Sequence, residues 1–229
     1  YITFNLKDFI PSKIILWDII KVGLPASLSM IIMALGQGVF NKILIYYSSQ
    51  TVAAYQVAGR LDMLIFLPIF AIAGALTTLV GMFYGARKIG ALNHIVRYGI
   101  SSAFLITLVS SSFVYLFAEA FSSWFTQDQE IISVSVGFLR TLCIVYPLVA
   151  IAITSGRVMQ GFGKGLPVLL ITVVRVLGVS APLGLYFSFV LEKPVEWNWY
   201  AMMIAAFISF SIAIFWVQIE LTKINRGQT

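Results

Sequence analysis

The side chains able to do chemistry in this chain are few, and most of them stand inside oil. Arg60 and Asp62 precede a run from Met63 to Phe83 that contains no charge. Arg175 is flanked by VLLITVV and VLGVSAPLGLYFSFVL, and Arg140 lies within a further apolar stretch. Gln37 and Asn41, in GQGVFNK, are four residues apart and share a helix face. An ionisable group at the centre of a membrane span costs about 2.5–3.5 kcal/mol on insertion scales, so its retention asks for a partner, a wet cavity or an interface. Catalytic groupings are missing. TSGR offers Ser155 as a nucleophile, but the one histidine, His94, belongs to a charged loop, so no nucleophile and base share a depth. GFGKG lacks the phosphate-loop spacing, because position 158 is Val and position 165 is Gly, and its glycines predict a tight turn. One cysteine, Cys143, allows no internal disulfide, and without a Cys/His cluster neither a zinc site nor any other metal centre is expected. No enzyme activity is expected.

The elements that must hold these residues are set by composition. Of the 229 residues, 60% are hydrophobic and 10% charged, against about 45–50% and about 25% in a soluble domain. No water-soluble fold of this size has enough interior for that much apolar surface. Six runs reach the length of about 20 residues that a membrane-spanning helix needs: roughly 22–46, 52–84, 95–118, 131–156, 167–191 and 197–219. They read as helices, since open strands cannot satisfy their backbone in lipid. The fold class expected is an all-α integral membrane bundle of six transmembrane helices. Charge alternates across the connections. Lys7, Lys13, Lys21, Arg87, Lys88, Arg97, Arg157, Lys164, Lys223 and Arg226 fall on one side, and Glu119, Asp128, Glu130, Glu192, Lys193 and Glu196 on the other. The basic side is cytoplasmic by the positive-inside rule, so both termini of this chain are expected there, in a multi-pass protein of the cell membrane. The net charge of +6 is thereby explained by topology, with no nucleic acid needed. Ahead of the first run, SKIILWDIIKVGLP is either an amphipathic helix lying at the interface or an extension of the first span.

Depth then limits the partners. The turn near Ser48–Gln50 lies about 18 Å from Asp62 at 1.5 Å per residue. Either Arg60 and Asp62 stand at the outer interface, or they face water inside the bundle. Arg60 aligns with Gln56 and Asp62 with Tyr55, so Asp62 needs a partner from another helix. Lys42 and Arg140 lie at suitable depth and are the expected partners. Arg175 sits deeper, out of reach of Asp62, with Thr154, Ser155 or Thr77 as expected ligands; the alternative is an arginine that snorkels and locks helices. Gln37 and Asn41 meet either another helix or solute. Pro25, Pro68, Pro147 and Pro182 each remove a backbone donor within or at the start of a span and predict kinks.

The order of these pieces resembles the multidrug and toxic compound extrusion (MATE) transporters, and in particular their second six-helix half. The resemblance is carried by Gly23-Leu24-Pro25 opening the first helix, by the Leu67-Pro68 step and by Val80-Gly81 with Gly85-Ala86-Arg87 closing the second. The Gly161, Gly163, Pro167 turn and Arg175 complete it, and it covers nearly the whole chain. It implies one lobe of a twelve-helix, two-lobe antiporter that exports cationic or amphipathic compounds in exchange for sodium ions or protons, with no other cofactor. The implied partners are membrane lipid, a small organic cation or amphipathic substrate, and the other, N-terminal six-helix lobe. Residues 1–21 would then be the interlobe connection, 22–222 the lobe and 223–229 a cytoplasmic tail. The chain begins at Tyr1 rather than Met, in keeping with a piece of a longer polypeptide. Two positions depart from the family pattern. Some members carry a glutamate eight residues after the first-helix proline, where this chain has Met33, and an aspartate twelve residues before the turn glycine, where it has Val149. Asp62 is the only acid placed to substitute for them. The side chains expected to border a solute pathway are Gln37, Asn41, Tyr55, Gln56, Arg60, Asp62, Arg140, Tyr146 and Arg175. A lipid-linked saccharide flippase or polysaccharide exporter of similar layout, and a non-transporting scaffold, are the alternatives.

Overall fold

Without water to bond to, a long apolar segment must satisfy its backbone internally, and the described part of this chain does so as helix. The computed structural model describes residues 12–227. Its elements are α1 (Lys13–Tyr47), α2 (Ser49–Gly85), α3 (Ile89–Leu116), the short α4 (Ala118–Ser123), α5 (Gln129–Cys143), α6 (Tyr146–Gly161), α7 (Leu166–Val190) and α8 (Glu196–Asn225). Five of these are long and apolar enough to cross a bilayer singly, and α5 with α6, bent by 59°, passes the same test as a pair. Counted with that pair as one span, they match the six expected runs. The boundary drawn at residues 21/22 falls inside α1, so the SKIILW stretch continues the first helix from Lys13. Residues 1–11 of the expected interlobe connection, and 228–229 of the tail, lie outside the described residues.

Local chemistry places the helix ends. Ser48 caps α2 by accepting the Thr51 N–H at 3.0 Å, and Asp128 caps α5 by accepting those of Glu130 and Ile131. The glycine turn after α6 is a Schellman cap rather than a phosphate loop. Gly163 takes φ +76°, its N–H bonds Gln160 O at 2.9 Å, and that of Lys164 bonds Met159 O at 3.0 Å. Lys164 then reaches the buried Glu220 on α8, which Lys223 also approaches at 3.7 Å.

Helix packing runs on small residues, as expected where lipid removes the hydrophobic drive between helices. Ala54, Ala58 and Ala73 of α2, Ala103 of α3, Ala150 of α6 and Ala201, Ala205 and Ala213 of α8 are all buried. Outward the pattern inverts: Val109 is 70% and Phe215 65% exposed, so large apolar side chains cover the outer surface. α6 sits centrally against α2, α3 and α8, whereas α1 packs mainly on α7 and α2. Between these two groups the bundle is hollow.

Candidate functional site

The hollow is a cavity of about 430 Å³ bordered by α1, α2, α5, α6, α7 and α8, within the range of roughly 300–1,000 Å³ typical of small-molecule sites. Asp62, half-buried on α2, faces it. Its hydrogen-bond partner is the hydroxyl of Tyr146, which donates to Oδ1. The break between α5 and α6 puts Tyr146 there. Pro147 cannot donate back to the Cys143 carbonyl, so the ladder restarts at Val145, whose carbonyl accepts from Leu148 and Val149. Tyr146, first residue of α6, thus turns inward at the bend and is buried.

Aromatic rings frame the carboxylate. Phe66, one helical turn from Asp62, meets Tyr146 edge-on at 5.0 Å between centroids. Tyr55 lies parallel to Trp199 at 6.3 Å and edge-on to Phe138 at 5.5 Å. A carboxylate among π-faces suits an organic cation, since both attract positive charge.

Arg175 borders the same cavity from α7, as does Ser180, whose hydroxyl donates to the Val176 carbonyl at 3.3 Å. These residues occupy a π-helical turn, Val174–Ser180, that immediately precedes Pro182. Proline cannot bond to the Gly178 carbonyl and its ring crowds that group, which favours the wider i→i+5 ladder just upstream. In that ladder Arg175 and Ser180 stack on one face, whereas five steps of α-helix would turn them roughly 140° apart.

Several expected partners are different in the structure. Neither Lys42 nor Arg140 pairs with Asp62; both are exposed, and Arg140 does not border the cavity, so the Asp62 pairing is corrected to the Tyr146 hydroxyl. Depth counted along single helices could not see the bend that brings Tyr146 inward. Arg175 is not held by Thr77, Thr154 or Ser155. Thr77 bonds Ala73 O and Arg157 O, Thr154 bonds its own preceding turn, and the buried Ser155 hydroxyl has no partner. Arg175 and Asp62 share one cavity after all, without an ion pair; among the described residues the ion pairs are those at Glu220. The Gln37 face divides: Gln37 borders the cavity, while Asn41 accepts from Gln56 Nε2 at 3.1 Å and ties α1 to α2. Gln56 and Arg60 are exposed and away from the cavity. Tyr55 and Tyr146 both border the cavity. Phe66 was findable from its spacing to Asp62, but Met202 of α8, also on the wall, carries no polar signal. Met33 and Val149, the two positions that depart from the family pattern, both border this cavity.

Comparison with known proteins places this geometry in context. The MatE family pattern matches residues 25–186. The chain is 26% identical over 194 residues to the probable multidrug resistance protein NorM of Thermotoga maritima, covering 80% of this chain and 41% of that protein. It is 27% identical to the multidrug export protein MepA of Staphylococcus aureus, covering 72% and 36%. Among solved structures, a Pyrococcus furiosus transporter of the MOP superfamily, described as having a binding pocket of reverse polarity that suggests a different function, superposes with a TM-score of 0.92. The match is at 29% identity, over 98% of this chain and 51% of that one. An outward-facing multidrug resistance MATE transporter gives 0.89 at 29% identity, over 97% and 50%. The chain thus spans less than half of these curated relatives and about half of these solved chains.

Proposed function

The chain belongs to the MatE family of membrane transporters, and from that premise we propose that it forms the second lobe of a secondary efflux antiporter for cationic or amphipathic compounds. The observation carrying this reading is the Asp62–Tyr146 pair on the wall of a cavity bordered by six helices, with Phe66 packed on Tyr146. Among the described residues Asp62 is the one acid on the cavity wall, with Met33 and Val149 at the positions where some relatives place theirs. It therefore holds the coupling ion in this half, a proton or sodium. Among the described residues the Tyr146 hydroxyl is its one hydrogen-bond partner, which suits a proton better than a cation that must be wrapped in many oxygens. The end bearing Arg87, Lys88, Arg157, Lys164 and Lys223 faces the cytoplasm, and both termini lie on that side. The other lobe completes the pathway, and rocking of the two lobes alternates access.

Everted vesicles from cells making the full-length protein test the reading. Ethidium accumulation driven by an imposed proton or sodium gradient is expected, and Asp62→Asn abolishes it. Absence of gradient-driven uptake, together with altered cell-wall precursors on deletion, would favour a lipid-linked saccharide flippase. Arg175 on the wall is the observation in that reading's favour, because such headgroups are anionic.

A further inference from the structure

We propose that Arg175 is an oxyanion subsite, so that the solute of this cavity carries a carboxylate, sulfonate or phosphate as well as its positive charge. This inference rests on the transporter reading above and deepens it. Arg175 borders the cavity, yet among the described residues neither a carboxylate nor a hydroxyl is bonded to it. Asp62 borders the same cavity and accepts only from a neutral hydroxyl. Opposite charges in a low-dielectric space attract strongly, and side chains free to meet would do so. No ion pair joins them. α2 fixes Asp62 against Tyr146 on α6, while the π-helical turn before Pro182 fixes Arg175 beside Ser180 on α7.

An unpaired guanidinium inside a membrane protein is costly unless something occupies it. Its planar fork can donate two parallel N–H bonds to one oxyanion, whereas the Ser180 hydroxyl on the same wall already donates to the Val176 carbonyl. A solute with both signs bridges the gap, its cation over the Tyr55, Phe66 and Tyr146 rings beside Asp62 and its anion at Arg175. A purely cationic solute leaves Arg175 unsatisfied and opposing it.

The test uses the purified full-length protein in nanodiscs of neutral lipid and two matched probes, benzyltrimethylammonium and its sulfopropyl betaine, followed by quenching of tryptophan fluorescence. The betaine is expected to bind about tenfold more tightly than the cation, the size of a charge-assisted hydrogen bond gained. Arg175→Gln shifts that ratio about tenfold toward the cation, and Arg175→Lys shifts it part of the way, keeping charge without the fork. Should wild type show no betaine preference, or should Arg175→Gln leave the ratio alone, the subsite is refuted even if the protein transports cations. Asp62→Asn weakens both probes. Binding of neither probe, with no cation transport, sinks the antiporter reading and this inference together. Repeating the titration with phosphatidylglycerol in the nanodisc separates the sources: loss of the betaine preference in wild type, with the Arg175→Gln ratio the same in both lipids, assigns the subsite to a lipid headgroup. An unchanged preference assigns it to a free solute.

Discussion

At Asp62 a lone carboxylate relies on one hydroxyl, and that dependence can be measured. Tyr146→Phe keeps the ring and its contact with Phe66 but removes the donor. A hydrogen bond to a charged group contributes about 1.5–3 kcal/mol, so the initial rate of gradient-driven export is expected to fall by roughly tenfold or more. Asp62→Glu moves the carboxylate by a methylene and retains part of the rate, whereas Asp62→Asn loses it. Equal rates for wild type and Tyr146→Phe would mean that the pair only cements α2 to α6. Asp62 was identifiable as a residue of the bundle interior because an acid inside an oily run needs a reason. Its partner was not, since Tyr146 is one of ten tyrosines and its depth depends on a bend.

The helices position these groups through two devices, close packing and broken ladders. Where α2 meets α6, a Cβ on Gly161 would stand 2.7 Å from Val80 Cγ1 and 2.9 Å from the Thr77 carbonyl oxygen, a backbone atom that cannot step aside. Gly161→Ala is expected to cost about 1–3 kcal/mol, seen as a lower unfolding temperature in detergent. Gly74→Ala, with nothing within 4 Å, is the matched control and is neutral or slightly stabilising. The broken ladder is tested by Pro182→Ala. The restored N–H can close onto Gly178 O, the π-helical turn relaxes, and Arg175 and Ser180 separate. Export is expected to drop several-fold while the unfolding temperature holds or rises. A lower unfolding temperature with full export would contradict this account of α7.

For the whole lobe, the claim is that lipid lies outside and solute inside, and cysteine chemistry separates the two. The native Cys143 is buried and gives a low background. Met202→Cys, on the cavity wall, is expected to react with a charged maleimide and to be shielded by substrate. Phe215→Cys, on the outer surface, is expected to stay unreactive in membranes despite its large exposure in the isolated lobe. Matching reactivity at both sites would place the cavity on the wrong flank.

The amino-acid sequence by itself determined the solvent, the set of candidate spans and the acid that stands inside an apolar run. Apolar runs of spanning length and charges confined to their ends leave the backbone only helices, and no packing detail can reverse that. It also located the Gly163 turn, because an L-residue side chain resists that backbone conformation. Which polar groups meet was decided only by the tertiary structure. Arg140 and Arg175 look alike as arginines in oil, yet one faces outward and the other borders the cavity. Helical periodicity assumes an unbroken 3.6-residue turn, and it fails at the α5–α6 bend and the π-helical turn of α7. Those are the two places that aim Tyr146 and Arg175, and their geometry comes from how proline-interrupted helices settle against their neighbours.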